Sequence, residues 1–121
     1  MQLSNSEEEL MNYLWKLERA FMKDLLEAYP EPKPATTTVA TLLKRMADKG
    51  FVDYKLYGKS REYYPLVKKQ DYFSKQVNTL IKNFFNDSAT QFASFFTKET
   101  NLSKAQLEDL KALIDNEIKK K

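Results

Sequence analysis

The apolar residues of this 121-residue chain change their period twice, and few folds accommodate the resulting order of elements. As far as Gly50 they recur every three to four residues, the spacing of one helix face. "SNSEEELMNYLWKLER" opens with Ser6 three residues ahead of Glu9, a capping box, and sets Leu10, Met11, Leu14 and Leu17 along one stripe. "AFMKDLLEAYP" repeats the pattern with Phe21, Leu25, Leu26 and Tyr29 and stops at Pro30, after which "EPKP" reads as a stiff, non-helical link. A third helix runs from about Thr36 to Lys49, with Gly50 as its cap. "FVDYKLYGKSREYYPLV" then reads as a β-hairpin, rich in tyrosine and valine, with its tip near Gly58, Lys59 and Ser60. Three helices followed directly by a hairpin is the order of a winged helix-turn-helix. That fold lays the second helix of its helix-turn-helix unit, here the third of the chain, in the DNA major groove. The expected fold is mainly α with a small β-hairpin: a winged helix-turn-helix domain over residues 1–69, then a three-helix dimerisation domain over residues 70–121.

Composition narrows the function classes. The chain has no histidine and no cysteine, which removes histidine-based triads, thiol nucleophiles and zinc sites built from nitrogen or sulfur. Its two glycines form no phosphate-cradling loop, so neither an enzyme nor a resident cofactor or metal is expected. No apolar run approaches the roughly 18 residues of a membrane span. The N-terminus lacks the basic start and apolar run of a signal peptide, and a cysteine-free chain suits a reducing, cytoplasmic setting.

Charge is unevenly spread. Residues 1–32 carry three Lys/Arg against seven Asp/Glu, residues 33–69 nine against three, and residues 70–121 eight against seven. The middle block, at +6, is the candidate polyanion-binding face, with an ordinary solvated basic face as the alternative. At 100° per residue, Val39, Leu42, Leu43 and Met46 fall on one side of the third helix. Thr37, Thr41 and Lys44 point the opposite way, flanked by Thr38 and Arg45. Threonine fills a helix surface poorly, but short hydroxyls let the backbone approach base edges where longer side chains would hold it off. Lys44 and Arg45 would reach phosphates or a guanine. The competing reading is that the threonines only cap the helix, for which one hydroxyl would suffice.

On the hairpin, Lys55, Lys59 and Arg61, with Ser60 among them, would lie along the backbone or enter the minor groove. Tyr54, Tyr57, Tyr63 and Tyr64 are expected to pair across the strands on the core side rather than to stack on bases. The last third is strongly apolar. One helix carries Tyr72, Phe73, Val77, Leu80, Ile81, Phe84 and Phe85, and a second carries Phe92, Phe95 and Phe96. The third is capped by Ser103 with Gln106 and carries Leu107, Leu110, Leu113, Ile114 and Ile118, ahead of a frayed "EIKKK" end. About fifty residues cannot bury that much aromatic surface alone, so this face is expected to cover a second copy rather than the N-terminal domain.

"TTTVATLLKRMADKGFV" followed by "GKSREYYPLV" resembles the penicillinase repressor family of bacterial transcriptional regulators, the BlaI/MecI/CopY type. "LSNSEEELMNYLW" is similar to that family's opening helix and "FFTKETNLSKAQLEDLKALI" to its C-terminal end, so the likeness spans roughly residues 3 to 118. The resemblance implies a homodimeric repressor on a palindromic operator, with DNA contacts from Thr37, Thr38, Thr41 and Arg45 on the helix and Lys59 to Arg61 on the wing. It also implies an intertwined C-terminal domain and, in members that answer to β-lactams, release through cleavage of that domain triggered by a membrane sensor metalloprotease. The family's Asn–Phe bond aligns with Phe95–Phe96 or Ser94–Phe95, where the asparagine is absent. The copper-responsive branch has a C-terminal cysteine cluster that this chain lacks, which excludes copper sensing of that kind.

The reading is a homodimeric repressor that sterically occupies an operator of double-stranded DNA. Thr37, Thr38, Thr41, Lys44, Arg45, Lys59, Ser60 and Arg61 are its DNA contacts, and Phe73, Val77, Leu80, Ile81, Phe84, Phe92, Phe96, Leu107, Leu110 and Ile114 its dimer interface. The rival readings are a winged helix used as a protein-binding scaffold, and an RNA-binding module with exposed wing tyrosines.

Overall fold

The structure is a computed structural model, described for residues 2–121. In chain order it comprises α1 (Asn5–Leu17), β1 (Ala20–Phe21), α2 (Met22–Ala28), α3 (Thr36–Asp48), β2 (Val52–Tyr57), β3 (Ser60–Pro65), α4 (Lys69–Phe84), α5 (Ala89–Glu99) and α6 (Lys104–Lys120). It divides into two units, one ending at Ser74 and the other running from Lys75 to Lys121.

The first unit is built on α1. Its N-cap is Ser4, whose hydroxyl accepts from the Glu7 N–H at 3.2 Å while the Glu7 carboxylate accepts from the Ser4 N–H at 2.8 Å. The box expected at Ser6 and Glu9 therefore starts two residues earlier. Both frames satisfy the same sequence pattern, but Leu3 and Glu7 are buried, and that anchoring selects the earlier one. Leu10, Met11 and Leu14 face the core with Leu25 of α2 and Val39, Leu43 and Met46 of α3. Leu17, expected on the same stripe, is exposed instead.

The helix α3 ends in a Schellman arrangement: Gly50 N–H donates to Ala47 O and Phe51 N–H to Met46 O, with Gly50 at φ +85° and Phe51 buried behind it. The hairpin forms as expected, with Tyr57 opposite Ser60 and Gly58 at φ +62° in the turn. The sheet, however, has three strands in the order β1-β3-β2, because Ala20 and Phe21 pair antiparallel with Tyr63 and Glu62. Those two residues belonged to the expected second helix. The helix begins at Met22 instead, where Asp24 accepts from the Phe21 N–H at 3.0 Å.

The division between the units falls inside α4 rather than at its start. Tyr72 is buried in the first unit, with its ring 5.6 Å from Phe51, and its hydroxyl donates to Glu8 at 2.6 Å. Burial, reinforced by Glu8, pushes that phenol up to about 12. Phe73, expected in the dimer interface, instead packs against this core, 5.8 Å from Trp15.

In the second unit Phe85 packs against Phe92 and Phe95, at 5.5 and 5.4 Å. The capping box of α6 forms as expected between Ser103 and Gln106, and the helix runs through the lysines to Lys120 rather than fraying. No residue from Lys75 onward is buried.

Candidate nucleic-acid interface

Burial of Val39, Leu43 and Met46 fixes the rotation of α3, and Leu42 is half-buried beside them. The same rotation turns Thr37, Thr38, Thr41, Lys44 and Arg45 to solvent together, one continuous side of short hydroxyls followed by cations. The N-cap of α3 is Ala35, and no side chain caps the helix. The hydroxyls of the threonine cluster are thus not consumed in capping, which removes the bland explanation for them. Thr41 donates its hydroxyl proton to Thr37 O at 2.9 Å, leaving its oxygen lone pairs facing outward as acceptors. The first-turn N–H groups of α3 keep the partial positive charge of a helix start, which favours an anion such as phosphate there.

The opposite end of α3 is anchored. Lys49 Nζ donates to Glu7 Oε1 at 2.7 Å and to Gln2 O at 3.3 Å. Burial alone would raise the Glu7 carboxyl, but Lys49 and the N–H and hydroxyl of Ser4 outweigh it and hold the carboxyl below its ordinary value. Lys33 is likewise occupied: its ammonium donates to Leu26 O, Glu27 O and Tyr29 O, closing the end of α2 at 2.7 to 3.3 Å. Both lysines belong to the basic block counted in sequence, so the basic surface is smaller than that count. Sequence reasoning had no signal for either engagement beyond their positions next to helix ends.

The wing carries the remaining candidates. Lys55, Lys59, Ser60 and Arg61 are all exposed. Arg61 does not extend from the tip: its guanidinium lies 4.5 Å from the centre of the Tyr54 ring, held over the aromatic face. Strand alternation puts Tyr54 and Tyr63 on one sheet face, where they form the expected cross-strand pair at 5.7 Å with Tyr63 buried. Tyr57 and Tyr64 lie on the other face, contrary to the core-side expectation. Tyr57 is exposed and meets Phe21 at 6.1 Å, because the unforeseen strand β1 brings Phe21 there. Among the described residues no cluster of three or more acidic, histidine or cysteine groups could hold a metal ion, and no helix is long and apolar enough to cross a membrane.

In the second unit, Val77, Leu80, Phe84, Phe95, Leu107, Leu113, Ile114 and Ile118 are exposed, with Leu113, Ile114 and Ile118 at 61, 59 and 64%. Ile81, Phe92, Phe96 and Leu110 are half-buried. The bonds aligned with the family's cleavage position, Ser94–Phe95 and Phe95–Phe96, lie within helix α5.

Comparison with known proteins follows the same lines. The chain is 27% identical to the methicillin resistance regulatory protein MecI of Staphylococcus aureus (strain N315) over 115 residues, 94% of each chain. It is 21% identical to the penicillinase repressor of Bacillus licheniformis, over 99% of this chain and 94% of that one. The solution structure of the DNA-binding domain of the repressor BlaI superposes with a TM-score of 0.52 at 25% identity, covering 59% of this chain and 88% of that one. The oxidized form of MarR from E. coli matches with a TM-score of 0.52 at 11% identity, over 97% of this chain and 76% of that one, a likeness of fold alone. The penicillinase repressor model matches residues 3–116, and this chain belongs to the penicillinase repressor family, a family of transcriptional repressors.

Proposed function

We propose that the protein represses transcription by occupying a palindromic DNA operator as a homodimer. Thr37, Thr38 and Thr41 meet base edges and phosphates in the major groove, with Lys44 and Arg45 reaching phosphates or a guanine beyond them. Lys59, Ser60 and Arg61 contact the backbone beside the wing, where the ring of Tyr54 limits how far Arg61 extends. The observation that carries this reading is the exposed threonine–cation side of α3, whose helix start uses no side-chain cap. The BlaI DNA-binding domain, a structural relative of the first unit's fold, supports it.

Dimerisation runs through the second unit, whose uncovered apolar side chains are the support for it. A two-fold pair of wings matches a palindrome, and separating the pair halves the contacts and relieves repression. Release by a membrane sensor metalloprotease would require α5 to open at Ser94–Phe95 or Phe95–Phe96. A unit without buried residues opens readily, although a protease acting there would read serine or phenylalanine in place of asparagine.

Replacing Thr37, Thr41 and Arg45 together by alanine abolishes operator binding in a mobility-shift assay and leaves the dimer intact by sedimentation. Unaltered DNA affinity would favour the scaffold reading. If two copies each set Lys44, Arg45, Lys59 and Arg61 on phosphates, affinity falls by roughly 10³- to 10⁵-fold between about 50 and 200 mM salt. A flat salt dependence would remove the phosphate contacts from the mechanism.

A further inference from the structure

A groove of about 1170 Å³ opens on the first unit, lined by no residue of α3 and, of the hairpin, only by Pro65 at the end of β3, away from the Gly58 tip. One wall is the C-terminal half of α1, with Trp15 and the exposed Leu17; another is the segment after β3, with the exposed Leu66. Trp15 is fixed in place, because its indole N–H donates to Val67 O at 2.8 Å. This ties α1 to the chain that leads into α4 and presents the indole as a rigid apolar surface.

The charge around this apolar floor is one-sided. Lys16, Lys68 and Lys69 line the groove, and no aspartate or glutamate does. Among the described residues none of the three lysines forms an ion pair or a side-chain hydrogen bond with the protein, in contrast to Lys33 and Lys49. The volume is somewhat above the roughly 300–1,000 Å³ of small-molecule pockets, as expected for an open groove. Leu17 is unusual in being turned out of an otherwise buried helical stripe, and Leu66, just past β3 with its N–H donating to Phe51 O at 2.8 Å, lines the same groove with its side chain exposed.

We infer that this groove is a binding site for an amphipathic organic anion: an aromatic or branched aliphatic body lying on Trp15, Leu17 and Leu66, with a carboxylate or comparable head held by Lys16, Lys68 and Lys69. A purely apolar occupant would leave the three cations unused, and a polar anion such as phosphate would leave the indole and leucines uncovered. Only a molecule with both parts satisfies the site. The site is separate from the DNA-contacting side of α3, so its presence neither needs nor tests that reading.

Trp15 is the chain's single tryptophan, so its emission reports on the groove directly. The full-length protein is titrated with 4-phenylbutyrate and, in parallel, with the neutral 4-phenylbutanamide. The expected result is a saturable change in tryptophan emission, with the carboxylate binding at least about tenfold more tightly than the amide. Replacing the three exposed lysines together (Lys16→Gln, Lys68→Gln, Lys69→Gln) should bring the carboxylate down to the affinity of the amide. A Leu66→Asp chain should lose both ligands while keeping its circular dichroism. A strictly linear emission response, equal affinities for acid and amide, or a lysine variant that binds as tightly as the parent would each overturn the assignment.

Discussion

The two units of this protein handle apolar surface in opposite ways. In the first, Leu10, Met11, Leu14, Leu25, Val39 and Met46 have no exposed surface, and three helices and a sheet close around them. In the second, three helices of good amphipathic pattern leave every side chain from Lys75 onward at least partly open to solvent, although Phe85, Phe92 and Phe95 touch one another. The pattern is equally helical in both; what differs is whether the partner surface is supplied within the unit. A helical stripe stabilises little until it meets another apolar surface; the first unit supplies that surface within itself, and the second leaves its stripes uncovered.

Changes on the open face of α6 should have the largest effects. Each isoleucine that becomes buried between two copies contributes about 1.5–3 kcal/mol, and two-fold symmetry counts it twice. Ile114→Ser should therefore weaken association by roughly 10²- to 10⁴-fold in sedimentation equilibrium. An unchanged dimer constant would break the comparison, because that face would then need no second copy. Next comes the closed core of the first unit. Leu14→Ala should remove about 2–5 kcal/mol of stability, seen as a lower denaturant midpoint. That loss should be independent of protein concentration, whereas unfolding of the second unit should depend on it.

Smaller still is the tie between α1 and α3. Lys49→Met leaves the buried Glu7 carboxylate without its cation and should lower stability by about 1–3 kcal/mol at neutral pH. Because the folded Glu7 carboxyl is held below its ordinary value of 4.5, its contribution is fully present above that pH and fades as pH falls through the lowered folded value. Acid titration of the denaturant midpoint should show this fade in the parent chain and a weaker one in Lys49→Met, where only Ser4 still favours the carboxylate. The smallest effect is expected at the wing: Arg61→Ala should leave the denaturant midpoint unmoved while reducing DNA affinity. A change in stability without a change in affinity would make Arg61 a structural residue of the Tyr54 face only.

Much of the candidate site was legible in the linear pattern. Apolar positions 39, 43 and 46 of α3 determine its rotation, and the rotation turns Thr37, Thr41 and Lys44 outward whatever surrounds the helix. Gly50 and Gly58 marked their turns because both adopt positive φ, where a side chain would be strained. The choice between Ser4 and Ser6 as the cap was not legible, since the two frames are locally equivalent and the burial of Leu3 and Glu7 decides between them. Nor was the strand at Ala20–Phe21, two residues whose pairing with Tyr63 and Glu62 depends on a hairpin some forty positions away.

Period and turn chemistry are local properties, so the helices, the hairpin and the outward side of α3 follow from the amino-acid sequence itself. Which charges stay free is not a local property. Lys33 and Lys49 read like any other cations of the basic block until the fold brings helix-end carbonyls and Glu7 within hydrogen-bond reach. Arg61 meets the Tyr54 ring only once β2 and β3 are in register. The same distinction separates the two apolar stripes: sequence wrote both, and only three-dimensional packing determined that Tyr72 and Phe73 join the first core while Leu113, Ile114 and Ile118 remain uncovered, because burial requires a facing surface that no stretch of sequence can specify alone.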